Sequence, residues 1–527
     1  MKLKRSVTLA ILLAGAVVAM PTAAAAADPI RYEAETAPAT CDGSIDSNHA
    51  GYSGTGFCNA DNTVGAAAQF AVNATTSGTA TISVRFANGA TTARPADVIV
   101  NGSTAQSTSF GSTGAWPTWA TKTMTVSLSS GSNTIRLSPT GSAGLPNIDH
   151  LEVTAGDTPS QPPGPALYVA TNGNDSNPGT LSQPLQTVQR AVDLAQAGTT
   201  IYLRGGTYAP STNVQLLKDG TASQPITLRT YNGERAILDG ENMPFTPGAV
   251  DSSIPRPQRG AIHVEGDHWH IIGLEIINGP YGIFGLDTNN SVFERLVTRD
   301  NYESGLHIIG SSSNNQVINL DSFGNRDPRK NGESADGLAV KEGSGSGNIV
   351  RGARLWNNSD DGLDFWMFES PILVEDSLTW GNGFNRWNLP DYTGDGNGFK
   401  MGGNGVSANH TVHNSMAWDN AVSGFVDNNN PGQLRIDHCT AWRNPGTGFN
   451  FNRSASTLTN NLAVANGTNV SLGSSSGGSG NSWDIGGSWP LVSTDPGTIT
   501  GPRQADGAIP SSTFLRPSNG AGVGARF

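Results

Sequence analysis

Three short segments of this 527-residue chain carry residues able to do chemistry together. They read Ala335-Asp336-Gly337-Leu338-Ala339, Asp360-Asp361-Gly362-Leu363-Asp364-Phe365 and Asn397-Gly398-Phe399-Lys400-Met401. Aligned on Gly337, Gly362 and Gly398, Asp336 and Asp361 share a column just before the glycine. Asp364 and Lys400 share another, two residues after it. If the segments stack as neighbouring strands, about 4.8 Å apart, carboxylates in one column cannot all stay ionised cheaply, and Asp360 sharpens the conflict. An oxygen-ligated hard cation resolves it, and Ca²⁺ accepts several carboxylates with flexible geometry. A lysine has a pKa near ~10.4 and is a poor base at neutral pH. A cation one coil away disfavours the ammonium and lowers that value. The neutral amine can then take a proton from the carbon next to a carboxylate whose charge the metal masks. The plainer alternatives are an exposed acidic face and a Lys400 that only pairs with Asp364.

The elements that must position these residues are repetitive. Asparagines recur before Gly-plus-apolar runs at Asn278, Asn301, Asn325, Asn357, Asn382, Asn420, Asn444 and Asn466, spaced 23, 24, 32, 25, 38, 24 and 22 residues apart. Trp356, Trp380, Trp418 and Trp442 lie one or two residues ahead of four of them. A basal period of about 22–25 residues means a solenoid. The leucine pattern of leucine-rich repeats is missing. β-branched strands, glycine turns and an asparagine column predict a parallel β-helix, in which inward asparagines bond from coil to coil. An amphipathic segment over 185–197, with Leu185, Val188, Val192 and Ala195 on one face, is expected as a helix capping the open end. The two long spacings are coils with inserted loops, and both flank the acidic cluster.

Ahead of this unit the pattern changes. Residues 30–154 alternate apolar and polar in short runs: 81–86, ending at Asn88-Gly89; 97–100, before Asn101-Gly102; and 133–137. Such spacing predicts a β-sandwich over 28–154. A Pro-rich linker over 155–166 joins it to the solenoid of 167–527. Residues 1–27 have Lys2, Lys4 and Arg5, then an apolar run and alanines, the form of a secretory signal; no stretch is long and apolar enough for a membrane span. A secreted, extracellular protein is expected, in keeping with 66 glycines and only 14% charged residues. The net charge of −12 argues against nucleic acid, which needs a basic face. Of three cysteines, Cys41 and Cys58 are placed to pair after export, and Cys439 reads as a small buried residue.

The solenoid resembles the pectate lyases of polysaccharide lyase family 9, in which an Asp, an Asp-Asp-Gly-x-Asp element and a Gly-Phe-Lys lysine form the site. Asp336, then Asp360, Asp361 and Asp364, then Lys400 match that pattern without a gap. The stretch 168–180 and Arg204-Gly-Gly-Thr-Tyr208 are also similar to such enzymes. The resemblance covers about residues 167–527. It implies a right-handed parallel β-helix in an all-β protein, four aspartates on Ca²⁺, and Lys400 as the base that takes C5–H of galacturonate before the 4-linked sugar leaves. The implied partner is de-esterified pectic polysaccharide, polygalacturonate of the plant cell wall, acted on by a monomer. In the insertion before Lys400, Arg386 and Trp387 are candidates to bind a substrate carboxylate and stack on a sugar, as are Arg443 and Arg453 on later coils; loop packing explains them equally well. The front unit resembles carbohydrate-binding modules of family 35, through Tyr32-Glu33-Ala34-Glu35, Gly51-Tyr52-Ser53-Gly54, Trp116, Trp119 and Pro146-Asn147-Ile148-Asp149. That implies a structural Ca²⁺ at Glu33, Glu35 and Asp149, with Tyr52, Trp116 and Asn147 as sugar contacts.

Three other readings compete. A lyase on another uronate polymer such as rhamnogalacturonan shares the same chemistry. A β-helix glycoside hydrolase also needs paired carboxylates, but the Gly-His-Gly and Arg-Ile-Lys elements of polygalacturonases are missing. A non-catalytic binding solenoid explains the repeats but not the combination of four acids with a lysine.

Overall fold

The computed structural model describes residues 30–74, 78–129, 131–155, 166–504 and 506–527. The expected signal over 1–27, and 156–165 of the expected linker, lie outside the described residues. The chain divides into two compact units, Met1–Gln161 and Pro162–Phe527.

In the first unit, alternating apolar side chains build two antiparallel sheets. One runs Gly43–Asp46, Phe57–Ala60, Asn147–Ala155, Gly78–Ala87, Ala120–Leu128, with Ile30–Glu33 also paired to Asn147–Ala155. The other runs Thr40–Cys41, Ala68–Ala74, Gly131–Pro139, Arg94–Val100, Ser103–Phe110. Ile82, Val84 and Phe86 face Phe70, Val98, Ile135 and Leu137 in one core, so the period of two places the apolar face inward as expected. Cys41 on one sheet is bonded to Cys58 on the other, with Cα atoms 5.6 Å apart. This staple across the layers stabilises by about 3 kcal/mol for a loop of such length.

In the second unit each coil lays one strand on each of three parallel sheets. The first sheet has 12 strands among the described residues, from Ala166–Val169 to Gly477–Ser479; the second and third have 10 each. The third sheet positions the candidate site. Its strands Leu306–Ser311, Leu338–Ser344, Leu363–Asp364, Phe399–Lys400, Phe425–Val426 and Thr447–Phe451 pair in register. Leu306, Leu338, Leu363, Phe399, Phe425 and Phe449 form an inward column and are fully buried. The rings of Phe399, Phe425 and Phe449 stack with centroids 4.7 and 4.9 Å apart. The next position points outward, and there His307, Ala339, Asp364, Lys400 and Val426 succeed one another.

The expected helix forms over Val188–Leu194, shorter than 185–197, with Thr187 Oγ1 accepting from the Arg190 N–H at its start. Leu185 and Ala195 fall outside it yet stay buried with Val188 and Val192. The helix packs against Ala166–Val169, Thr200–Leu203 and Val214–Leu216, at the N-terminal end of the solenoid.

The asparagine column corrects the sequence reading at two places. Side-chain bonds run from Asn301 to Asn325, Asn358, Asn382, Asn420, Asn444 and Asn466 in turn. Asn278 and Asn357 are not on this ladder. Both hold the left-handed turn position just before it, at φ 54° and 56°, a conformation asparagine tolerates better than most residues. At the first of these coils, Gly279 takes the ladder place and donates its N–H to Asn301. The ladder spacings are therefore 24, 33, 24, 38, 24 and 22. The tryptophans mark the same register, since each is followed by a left-handed residue and then the ladder asparagine: Trp356-Asn357-Asn358, Trp380-Gly381-Asn382, Trp418-Asp419-Asn420, Trp442-Arg443-Asn444. Trp356, Trp380 and Trp418 stack at 4.8 and 4.9 Å.

One histidine inside the solenoid makes stability pH-dependent. His410 is fully buried, packs on Phe365, and its Nδ1 accepts the Ile372 N–H at 3.2 Å. Burial pushes its pKa down to about 3. The unfolded chain binds this proton near pH ~6.5, so the contribution is fully present above that value and is lost as pH falls toward 3. His410→Asn keeps an acceptor in place and removes the proton site. Its melting temperature should fall less steeply than the parent's between pH 6.5 and 4.5, by about 2–3 kcal/mol of stability. Parallel slopes would refute this assignment.

Candidate active site

The outer surface of the third sheet brings together the three segments that opened the sequence reading. Glycine permits the close approach: a Cβ at Gly362 would lie 2.7 Å from the Gly398 carbonyl oxygen and 2.9 Å from the Asn382 amide. With Leu338, Leu363 and Phe399 in register, Asp336 is level with Asp361, and Asp364 with Lys400. Asp336, Asp360, Asp361 and Asp364 are all buried and offer carboxylate oxygens within 4.8 Å of one another.

Each carboxylate accepts a backbone N–H at one oxygen, and Asp336 Oδ2 also accepts from Ser304 Oγ at 3.3 Å. Asp336 Oδ1 accepts the Asp361 N–H at 3.3 Å and Asp360 Oδ1 the Asp395 N–H at 2.7 Å. Asp361 Oδ1 accepts from Asn397 N at 2.7 Å and Nδ2 at 3.0 Å, and Asp364 Oδ1 accepts the Trp366 N–H at 2.9 Å. The second oxygens of Asp336, Asp361 and Asp364 meet two ammonium groups. Lys400 Nζ is 3.0 Å from Asp361 Oδ2, 3.3 Å from Asp364 Oδ2 and 2.8 Å from Asp395 Oδ2. Lys341 Nζ is 2.8 Å from Asp336 Oδ2 and 2.7 Å from Asp364 Oδ2.

Burial and mutual repulsion dominate the electrostatics. Burial pushes the Asp336 carboxyl up to about 7, against the opposing pull of Lys341. Asp360 is driven well above its ordinary value by burial and by Asp361, and Asp361 is raised by burial. At Asp364 burial also works upward, but Lys341 and Lys400 outweigh it and hold the carboxyl below its usual range. Burial disfavours the Lys400 ammonium, yet Asp361, Asp364, Asp360 and Asp395 together hold its pKa far above that of a free lysine. Four buried acids against two lysines leave the buried cluster two positive charges short, and the exposed Asp395 adds a fifth carboxylate on Lys400 from the solvent side. The donors are all hard oxygens, fixed from behind by backbone N–H groups, and they fit a hard divalent cation.

Sequence columns missed three residues here. Lys341 and Trp366 follow from the same alternation, two positions beyond Ala339 and Asp364 on the outward side. Trp366 is half-exposed and its indole lies directly over Gly403, where any side chain would collide with it. Asp395 sits on the inserted loop and carries no periodic signal. That loop forms a wall with the preceding insertion: Thr393 N–H bonds the Asn331 carbonyl at 3.0 Å, and the Tyr392 hydroxyl bonds the Ser359 carbonyl. Arg386 is exposed and lies over the Phe384 ring at 5.2 Å, and Trp387 beside it is half-buried. Arg443 is committed elsewhere. It forks onto Asp419 at 2.7 and 2.8 Å and covers Trp442, in the turn between second and third sheets. Arg453 is exposed, its backbone N–H bonded to Asp427.

The first unit gathers part of its expected acidic set. Glu33, Asp149 and His150 offer ligand atoms within 4.8 Å of one another. Ser53 Oγ donates to Glu33 at 2.7 Å, and Arg85 stands 3.2 Å from Asp149. Glu35 lies outside that group because the Thr55 N–H holds its Oε1 at 2.7 Å, while its buried Oε2 has no partner. Tyr52 and Trp116 are half-buried and Asn147 is 5% exposed. Trp116 lies against Gly89 with Arg94 over its ring at 5.2 Å, and Trp119 bonds the Ala50 carbonyl.

Fold and site define a parallel β-helix enzyme whose outer face holds a buried acid cluster threaded by a lysine, preceded by a β-sandwich module. The family described as Pel9A-like, right handed beta helix region matches residues 167–481, and carbohydrate binding module family 6 matches 33–155. Pectate lyase PEL9 of Emericella nidulans is 49% identical over 384 residues, covering 68% of this chain and 94% of the relative. The crystal structure of pectate lyase Pel9A superposes with a TM-score of 0.60 at 32% identity, covering 67% of this chain and 89% of that one. A rhamnogalacturonan lyase gives 0.61 at 26% identity, covering 68% and 99%. The chain belongs to the Pel9A-like β-helix family of pectate lyases and carries an N-terminal carbohydrate-binding module.

Proposed function

We propose that this protein is a secreted, calcium-dependent pectate lyase that cleaves de-esterified polygalacturonate by β-elimination, with Lys400 as the base. The observation that carries this reading is the Lys400 amine set within 3.0–3.3 Å of two carboxylates of a buried four-aspartate cluster. In the reaction the neutral amine takes the C5 proton. The C–H electron pair becomes the C4–C5 double bond, the C4–O bond breaks, and the departing sugar oxygen gains a proton from solvent. Asp336, Asp360, Asp361 and Asp364 would hold the Ca²⁺, which masks the substrate carboxylate and lowers the cost of the charge that develops beside C5. Asp395 holds Lys400 from the solvent side. Trp366 presents an apolar face for a sugar ring. A methyl ester lacks the charge this site is built to neutralise, so de-esterified polymer is the better substrate. The N-terminal 1–27 segment supports export, and outside the cell Tyr52, Trp116 and Asn147 of the module would meet plant cell-wall polysaccharide.

The test is an assay of the purified protein on polygalacturonate, following ultraviolet absorbance of unsaturated products and their sizes. In that assay Trp366→Ala should raise KM about tenfold and change kcat less, the loss of one sugar–aromatic contact. Reducing ends formed without unsaturation would reject the lyase reading. A second reading has specific support: the likeness to a rhamnogalacturonan lyase extends over nearly all of that chain. Faster cleavage of rhamnogalacturonan in the same assay would replace polygalacturonate as the substrate and leave the chemistry unchanged.

A further inference from the structure

The acid cluster contains one group that neither the opening motif nor the proton abstraction explains. Lys341 lies on Leu338–Ser344, turned outward between the buried Val340 and the next residue of the strand. Its side chain is 12% exposed. Its ammonium reaches across two coils, to Asp336 on its own coil at 2.8 Å and to Asp364 on the next at 2.7 Å. It thus ties the two carboxylate columns together. A surface ion pair would not need this depth, and a buried ammonium loses hydration that only close partners restore.

We propose that Lys341 is a built-in counter-charge that sets the valence of the cation the cluster accepts. In the resting site, with Lys341 and Lys400 both as ammonium groups and the exposed Asp395 left to solvent, the four buried carboxylates are short by two positive charges, which a divalent ion supplies. Without Lys341 they are short by three, and a trivalent ion becomes the better match. Lys341 acts through Asp336 and Asp364 and is a positioning residue. This inference rests on the cluster being the metal site of the proposed function.

The test compares Ca²⁺ with Tb³⁺ on the full chain, by calorimetry and by Tb³⁺ luminescence sensitised through nearby tryptophan. Asp361→Asn serves as the blank, so that binding at the first unit is subtracted. In Lys341→Met the affinity ratio of Tb³⁺ to Ca²⁺ should rise at least tenfold over the parent, whereas Lys341→Arg, which keeps the charge, should leave it within about threefold. Should Lys341→Met fold poorly, Lys341→Gln is read in the same way, with folding checked by its melting temperature in excess Ca²⁺. An unchanged ratio in the neutral variants, with the parent binding Ca²⁺ normally, overturns the role of Lys341 alone. Parent protein that binds no Ca²⁺ beyond the Asp361→Asn blank overturns the metal reading itself, and this inference with it.

Discussion

Lys400→Ala should lower kcat on polygalacturonate by about 10²–10⁴-fold, the range spanned by loss of a positioned general base. The argument depends on where the amine sits. Lys400 extends from a strand whose Phe399 is locked in the aromatic column, so the backbone has no freedom to carry another residue into its place. Asp361, Asp364 and Asp395 surround the Nζ at 2.8–3.3 Å and fix its position. Lys400→Arg separates charge from basicity: guanidinium stays protonated at any working pH, so this variant should be as inactive as the alanine one. Lys400→Arg should also keep the parent's Ca²⁺ binding, because the four carboxylates and the positive charge both remain. The surrounding aspartates hold Lys400 in its ammonium form, against the effect of burial, so only its deprotonated fraction is active. The parent's rate should accordingly climb with pH into the alkaline range, and climb earlier at higher Ca²⁺. Measured by ultraviolet absorbance of the product, more than a tenth of the parent rate in Lys400→Ala would remove Lys400 from the chemistry.

The two columns of this site are legible in the sequence because two simple periods intersect there. The strand period of two separates Leu363 from Asp364 and Phe399 from Lys400, and the solenoid period aligns the three glycines. Where only one period acts, sequence was ambiguous. Asn357 and Asn358 are both asparagine for different reasons, one tolerating a left-handed turn and the other bonding its neighbours in the ladder. Only the Trp-x-Asn spacing of the later coils tells them apart. Lys341 was overlooked because it lies beyond the glycine-anchored triplets, although its outward position follows from the same alternation. Asp395 was not legible at all: its place depends on how an inserted loop folds back to give its N–H to Asp360. Glu35 shows the reverse case. The family resemblance groups it with Glu33 and Asp149, but the Thr55 N–H holds its Oε1 at 2.7 Å, and His150 joins Glu33 and Asp149 instead.

Removing Ca²⁺ with a chelator should abolish activity and also weaken the fold, in a direction that depends on pH. With the cation gone, the cluster lacks two positive charges, and protons are the remaining means of neutralising it. Burial pushes the Asp336 carboxyl up to about 7, against a value near ~3.9 in an unfolded chain. The folded state therefore prefers the protonated form. The stability this contributes is fully present below pH ~3.9 and is lost as pH rises through about 7. Asp360 and Asp361 are raised in the same sense. Asp364 runs the other way, held below its usual value by the two lysines, and loses its contribution only in stronger acid. Chelated protein should thus melt several degrees lower at pH 8 than at pH 5.5. Added Ca²⁺ should restore most of that difference at pH 8 and little of it at pH 5.5, where protons already occupy the site. Mg²⁺ should restore less of both stability and activity, because it demands near-octahedral geometry and retains its waters, whereas these four carboxylates are fixed from behind by their backbone partners. Unchanged activity and an unchanged melting temperature in chelator at pH 8 would show that Lys341 and Lys400 alone balance the cluster.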